Sequence, residues 1–255
     1  MKAISQSTGP RRRGRPPKDQ TRPSAPRARL LRAGVAILTE KGFSAVGVEE
    51  ILESAEIPKG SFYHYFDSKE AFGLELIDAY ADYFARKLDR WFDNTDHAPL
   101  DRLRDFIADA RSGMARHRYR RGCLVGNLGQ EMGVLPESFR KRLAAVFRDW
   151  EARTSRCLRS AQEAGEIPAG IDCEGLAQFF WTGWEGAVLR AKLEQRPDAL
   201  DVFAEGFFAM IRAQVMEEDG GHEFQSPRCR YHCRYGVRPS DGANLQRVVR
   251  RDPKS

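Results

Sequence analysis

The sequence predicts an all-α protein in which a small N-terminal three-helix domain precedes a larger helical domain. Apolar residues recur every three or four positions through most of residues 27–217, which is the spacing of amphipathic helices. Two short helical segments, residues 48–55 and 58–66, are separated by a brief turn, as in a helix-turn-helix. The predicted boundaries are a disordered basic arm at 1–26, a helix-turn-helix domain at 27–73, a ligand-binding and dimerisation domain at 74–217, and a disordered tail at 218–255.

Charge distinguishes the ends of the chain from its middle. Residues 1–32 contain ten Lys and Arg residues against one acid, residues 218–255 contain eight against five, and the middle contains 24 against 30. A basic arm beside a helix-turn-helix suits DNA binding, because the arm must meet phosphates and the acidic body should not. The charge pattern therefore indicates double-stranded DNA as a partner.

Several other classes of protein are not favoured. No run of 18 apolar residues and no secretory signal is apparent, so a cytoplasmic protein is expected. The five cysteines are odd in number and widely spaced, which does not suggest disulfides. Cys229, His232 and Cys233 supply only three clustered ligands, whereas a structural zinc site usually has four. No phosphate-binding glycine loop or catalytic motif is present, so we expect no enzyme, no metal and no cofactor.

The N-terminal arm contains a cluster of arginines around a Gly-Arg-Pro core. This cluster resembles AT-hook peptides, in which an extended backbone lays arginines along a narrow minor groove. A generic basic tail that raises only nonspecific affinity is an equally good interpretation. The residues concerned are Arg11, Arg12, Arg13 and Arg15.

The first helix is predicted from Arg27 to Lys41, with Gly42 as its C-terminal stop. It should form a small core with the apolar residues of the second and third helices. Ser44, near the start of the second helix, could donate to a phosphate from its hydroxyl or its backbone NH. A capping role is the alternative for Ser44.

The third short segment is predicted to be the recognition helix. Pro58 suits the first helical position, and Phe62 and Phe66 lie four residues apart on one face, so both are assigned to packing. Backbone NH groups at the helix N-terminus suit a phosphate, and side chains there can reach base edges in the major groove. The residues placed at this end are Lys59, Gly60 and Ser61.

Three motifs resemble the TetR-type one-component transcriptional repressors: Lys41-Gly42-Phe43, Val48-Glu49-Glu50-Ile51 and Lys59-Gly60-Ser61-Phe62-Tyr63-His64-Tyr65-Phe66-Asp67-Ser68-Lys69-Glu70. The resemblance implies a dimeric repressor that binds a palindromic operator. It also implies that Tyr63 contacts a base or a thymine methyl group, that His64 contacts a phosphate, and that Lys69 clamps the DNA backbone. The alternative for His64 is a buried, satisfied histidine.

A long helix capped by Asp67 and Ser68 is predicted to run to Asn94, about 27 residues or about 40 Å. In the family that these motifs resemble, such a helix acts as a lever between two domains. Four further helices follow, and Pro197 separates the last two into an antiparallel hairpin. Small residues would let this hairpin pack against its mate in a homodimer. They are Gly183, Gly186, Ala187 and Ala191.

Residues 121–132 contain three glycines and several polar side chains among apolar ones, as if they face something small. Together with residues 181–192 they resemble the acrylate-responsive and electrophile-sensing repressors of the same family. That resemblance implies a small α,β-unsaturated acid or its thioester, such as acrylate, as effector. Its donors would be Arg121, Asn127, Gln130 and Lys192, and its apolar walls would be Tyr80, Leu128 and Trp184.

Cys123 and Lys192 also resemble the reactive cysteine and lysine of the electrophile-sensing members, where a nearby cation would favour thiolate. Covalent sensing of electrophiles or oxidants is thus an alternative function. The plain alternative is that Cys123 is a small buried hydrophobe and Lys192 a solvated charge. A DNA-binding architectural protein that responds to no small molecule is the alternative from a different class.

Overall fold

The computed structural model describes residues 25–219, and the regular secondary structure in that range is entirely helical, which confirms the predicted fold class. Arg11, Arg12, Arg13 and Arg15 lie outside the described residues, as do Cys229, His232 and Cys233. The helices are α1 Ala25–Lys41, α2 Val48–Ser54, α3 Lys69–Phe92, α4 Pro99–Arg116, α5 Leu124–Gln130, α6 Glu137–Glu163, α7 Cys173–Glu194 and α8 Asp198–Asp219, with a 3₁₀ helix at Phe62–His64. None of these helices is long and apolar enough to cross a membrane.

Local chemistry explains most helix ends. Gly42 adopts a positive φ of 84° and ends α1, as predicted. The Ser68 hydroxyl accepts a hydrogen bond from the Ala71 NH at 2.9 Å and caps α3. Pro99 occupies the first turn of α4, where its missing NH has no consequence.

Three helices differ in their bounds from the predictions. The lever helix α3 has 24 residues and ends at Phe92, so it is about 36 Å long at the usual rise rather than about 40 Å. Helix α1 begins at Ala25, inside the segment predicted as a disordered arm, and α8 continues to Asp219, past the predicted start of the tail.

Helix α3 packs against α1, α4 and α6 and is central to the described core. The chain approaches it closely at Gly73, where an added Cβ would lie 2.7 Å from Phe43 Cε2 and would also collide with Phe139. The predicted domain boundary after residue 73 falls inside this helix, and one continuous hydrophobic cluster extends on both sides of it. A single core therefore packs against both halves of α3.

Candidate DNA-binding surface and effector site

The recognition segment is a single 3₁₀ turn rather than an α-helix that begins at Pro58. Gly60 has a φ of 85°, which interrupts helical geometry at the place where a helix N-terminus was predicted. Ser61 instead precedes the 3₁₀ turn, and its hydroxyl donates to the Pro58 carbonyl at 2.5 Å. The prediction that Lys59, Gly60 and Ser61 form the N-terminus of an α-helix is wrong for this reason, and their contact with DNA stays a prediction.

The side chains of this segment divide between core and solvent as predicted. Phe62 and Phe66 are 1% and 3% exposed, and both rings make edge contacts with Phe72 at the start of α3. Tyr63 is 67% exposed and His64 is also exposed, so His64 is not a buried core histidine. The aromatic pair anchors the turn on α3 and leaves Tyr63 and His64 free to meet a ligand.

Two other residues predicted to contact DNA already have partners within the protein. The Lys69 ammonium donates to the Phe43 carbonyl at 2.9 Å and lies 4.5 Å from the centre of the Phe43 ring, and burial lowers its pKa. The Ser44 NH donates to Glu131 Oε2 at 2.7 Å, so that NH is not available to a phosphate. A contact between the exposed Ser44 hydroxyl and a phosphate stays a prediction.

A cavity of about 330 Å³ lies between α1, α3, α4 and α7. Tyr80, Arg121, Cys123 and Trp184, all predicted effector residues, line it. Sequence reasoning missed most of its other lining groups, because they come from helices far apart in the chain. The missed polar and charged ones are Arg32, Thr39, Tyr83, Lys87, Arg116, His117 and Glu185.

Cys123 is the N-cap of α5, and its neighbour is a carboxyl group rather than a cation. Burial raises the pKa of the Cys123 thiol well above its usual value, and the charge of Glu185 raises it further. Burial also raises the pKa of Glu185 to about 7. Gly126 makes the arrangement possible, because a Cβ there would collide with Glu185 Oε2. The expectation that a nearby cation favours thiolate is wrong.

The remaining predicted donors face the C-terminal end of α1. The Asn127 amide donates to the carbonyls of Leu38 and Thr39 at 3.1 and 2.9 Å, and the Lys192 ammonium donates to Thr39 at 3.3 Å. Gln130 joins them around a cavity of about 10 Å³, room for roughly one water molecule. Asn127 and Lys192 are thus held by α1 and do not line the larger cavity.

Glu131, directly after α5, makes a contact that the sequence did not reveal. Its carboxylate accepts hydrogen bonds from the Phe43 NH at 2.8 Å and the Ser44 NH at 2.7 Å, in the turn between α1 and α2. A Cβ on Gly42 would collide with this carboxylate. Helix α5 therefore begins at the cavity, with Cys123, and ends on the helix-turn-helix.

In the part of the chain that the structure describes, helices α7 and α8 carry exposed apolar side chains on their surface. Of the small residues predicted to make the dimer contact, Gly183 instead accommodates Phe203 of α8, and Ala187 and Ala191 are buried in the protomer. Gly186 is exposed, with nothing within 4 Å of an added Cβ. The exposed large apolar side chains on these two helices are Phe179, Leu189, Leu193 and Val202.

An exposed helix-turn-helix on an all-helical body defines the chain as a DNA-binding transcriptional regulator. Residues 30–76 match the family of bacterial regulatory proteins called the tetR family, and residues 99–207 match the tetracyclin repressor-like C-terminal domain. The chain belongs to the tetR family of bacterial regulators, and it is a regulator rather than an enzyme. Members of this family bind DNA operators as dimers, which supports DNA and a second copy of the chain as partners.

Individual relatives agree with this assignment. The chain is 57% identical over 198 residues to the transcriptional regulator AcuR of Cereibacter sphaeroides, covering 77% of this chain and 89% of AcuR. It is 30% identical to the HTH-type transcriptional repressor NemR of Escherichia coli, covering 69% and 88% of the two chains. The crystal structure of a regulatory protein TetR from Rhodobacter sphaeroides superposes with a TM-score of 0.69 at 58% identity, covering 71% of this chain and 95% of that one.

Proposed function

We propose that the chain is a dimeric repressor that binds a palindromic operator in the cytoplasm and is released from it by a small α,β-unsaturated acid or its thioester, such as acrylate. The observation that carries this proposal is the position of α5. Cys123 at its start lines the cavity, and Asn127 and Glu131 hold α1 and the turn before α2. A ligand that moves the start of α5 therefore acts on the helix-turn-helix.

The cavity has the chemistry that a small unsaturated acid needs. Tyr80, Phe84 and Trp184 supply apolar walls for a vinyl group. Arg121, with Arg32 and other cations of the lining, supplies charge for a carboxylate. A volume of about 330 Å³ is at the small end of ligand cavities.

The DNA-binding proposal relies on the exposed part of the helix-turn-helix. Tyr63 and His64 point away from the core, and Lys59 and Gly60 are exposed beside them. Two copies related by a two-fold axis place their recognition turns in successive major grooves about 34 Å apart. The basic arm adds phosphate or minor-groove contacts, so deletion of residues 1–22 should weaken operator binding and flatten its dependence on salt.

The direct test is fluorescence anisotropy with labelled DNA from upstream of the protein's own gene, with and without acrylate. We expect tight binding to a palindrome in that DNA and release by acrylate, with propionate as a matched saturated control. Binding that no small acid alters would favour an architectural protein instead. Binding to unrelated DNA with equal affinity would contradict the proposal of a specific operator.

Covalent sensing through Cys123 is the second candidate, because this thiol lines the cavity. In that case Cys123→Ser would lose the response to electrophiles. A Cys123→Ser variant that responds normally to acrylate and to electrophiles would show that the thiol is not the sensor. A Cys123→Ser variant that still responds to acrylate but no longer to electrophiles would show that acrylate releases the operator reversibly and that electrophiles act covalently.

A further inference from the structure

Three titratable side chains from different helices meet at the inner side of the cavity. Cys123 begins α5, Glu185 comes from α7 and Tyr80 comes from α3. A Cβ added to Gly126 would collide with Glu185 Oε2 and lie 3.7 Å from Cys123 Cβ, so the Glu185 carboxyl and the Cys123 side chain are close neighbours, and Tyr80 lines the same cavity. The Gly126 NH, at 3.5 Å, points at the Cys123 sulfur.

This arrangement differs from that of a thiol activated as a thiolate. A thiol is activated as a thiolate by a neighbouring cation, a metal or a helix N-terminus. Cys123 does lie at the start of α5, and the Gly126 NH lowers the pKa of its thiol, but burial and the charge of Glu185 raise that pKa more. Cys123 is 9% exposed and has a carboxyl group beside it, and Lys192 is held at the Thr39 carbonyl instead. A thiol in these surroundings stays protonated, so any reaction at its sulfur requires a group that removes the proton.

We propose that Glu185 is the proton acceptor for Cys123 and that the pair makes this cavity an addition site for α,β-unsaturated carbonyl compounds. This proposal rests on the assignment of the cavity as the effector site. Glu185 is suited to the role because burial holds its pKa at about 7, so that near neutral pH a large fraction is ionised and its conjugate acid can return the proton.

The addition is balanced without any further reactant. The thiol proton passes to the Glu185 carboxylate as the sulfur forms a bond to the β-carbon of the ligand. The π electrons move onto the carbonyl as an enolate, and Glu185 then returns the proton to the α-carbon. No leaving group is released and nothing is oxidised, so the product carries the whole ligand as a thioether.

The charges around the pair set its pH dependence. Cys123 and Tyr80 are the titratable groups beside Glu185, and burial raises the pKa of both well above their usual values. Near neutral pH, Glu185 is therefore the group of the three that changes ionisation. The basic side chains that line this cavity and the small adjoining one are Arg32, Lys87, Arg116, His117, Arg121 and Lys192.

The test measures alkylation of the intact full-length chain by acrylamide, a small neutral acceptor, using peptide mass spectrometry to follow the peptide that contains Cys123. In the wild type we expect the rate to rise between about pH 6 and 8 and to level off above the pKa of Glu185. Glu185→Gln should slow labelling by about tenfold or more at pH 7.5 and leave only a rise at alkaline pH. Glu185→Asp should restore part of the rate.

Gly126→Ala is an independent variant, because its methyl group displaces the Glu185 carboxyl and keeps both reactive groups. It should slow labelling as Glu185→Gln does. Thermal melts establish that each variant is folded. Equal rates in wild type and Glu185→Gln, or no labelling of Cys123 in the folded wild type, would overturn the proposal.

Release from DNA is measured separately, so the two proposals can fail independently. If labelling depends on Glu185 but acrylate does not release the operator, the addition site stands and the proposed effector is wrong. If acrylate releases the operator from wild type and Cys123→Ser alike, and labelling is independent of Glu185, the proposed function stands and the addition site is wrong.

Discussion

Removal of the Glu131 carboxylate should loosen the helix-turn-helix from the rest of the protein. Glu131→Ala deletes two hydrogen bonds, to the Phe43 NH at 2.8 Å and the Ser44 NH at 2.7 Å. Bonds to a charged group each contribute about 1.5–3 kcal/mol, and the exposed Ser44 bond belongs at or below the low end. We expect the free energy of unfolding to fall by about 2–4 kcal/mol.

The assay is urea unfolding at a fixed protein concentration, since dimer formation makes stability depend on concentration. Glu131→Gln keeps one acceptor oxygen without the charge and should lose about half as much, roughly 1–2 kcal/mol. Glu137→Ala is the matched control, because Glu137 is exposed and, among the residues that the structure describes, pairs with Arg140 one turn away, so its loss should stay within about 0.5 kcal/mol.

The functional readout is the change in operator affinity that acrylate produces. If Glu131 transmits the signal, Glu131→Ala should shrink that change, since 2 kcal/mol corresponds to roughly a 30-fold difference in an equilibrium constant. A Glu131→Ala variant as stable as Glu137→Ala would refute the energetic reasoning. A normal acrylate response in a measurably destabilised variant would show that the contact is structural only.

Three further outcomes are expected. Phe62→Ala should destabilise the fold by about 3–5 kcal/mol in thermal or urea unfolding, whereas Tyr63→Ala, at a 67% exposed position, should leave stability within about 0.5 kcal/mol and still weaken operator binding in anisotropy titrations. Leu193→Asp should shift the chain towards monomer in sedimentation velocity, and Val134→Asp, equally exposed but outside the α7 and α8 face, should not. Burial raises the Glu185 pKa from 4.5 to about 7, so the free energy of unfolding of the wild type falls as pH rises through this window. Glu185→Gln has no such loss. Its free energy of unfolding, measured in urea between pH 5 and 8, should therefore exceed that of the wild type by up to about 3 kcal/mol at the upper end.

Periodic and end-capping signals made the fold readable from the sequence. The Ser68 cap, the Gly42 stop and the alternation of buried Phe62 and exposed Tyr63 are local features, and each was predicted correctly. The break in helical geometry at Gly60 is also a local feature, but the sequence does not predict it, because Pro58 favours a helix start at the same place. Residues 121–132 were singled out as unusual, yet their helix α5 was not predicted, since a seven-residue helix leaves little periodicity.

The site was less predictable because its contacts join residues far apart in the chain. Glu185 of α7 lies close to Cys123 and Gly126 only in the folded chain, and no spacing rule brings residues 62 positions apart together. Asn127 illustrates the opposite case. The sequence predicts Asn127 as a donor to the effector, whereas in the structure its amide donates to the carbonyls at the end of α1. Sequence shows that a polar group needs a partner and does not show which one it finds.

In the proposed function, the short helix α5 couples the effector cavity to the helix-turn-helix. A signal between sites requires contacts that differ in free energy between two states, typically by 1–3 kcal/mol. Helix α5 is seven residues long and is held at its middle by Asn127 and just past its end by Glu131, so in the proposed function a rigid shift at Cys123 is carried to those bonds. Hydrogen bonds weaken steeply as they lengthen or bend, so a small shift removes much of the free energy that these bonds contribute. Reciprocity then requires that operator binding, by favouring the intact bonds, lowers the affinity of the cavity for the effector by the same factor.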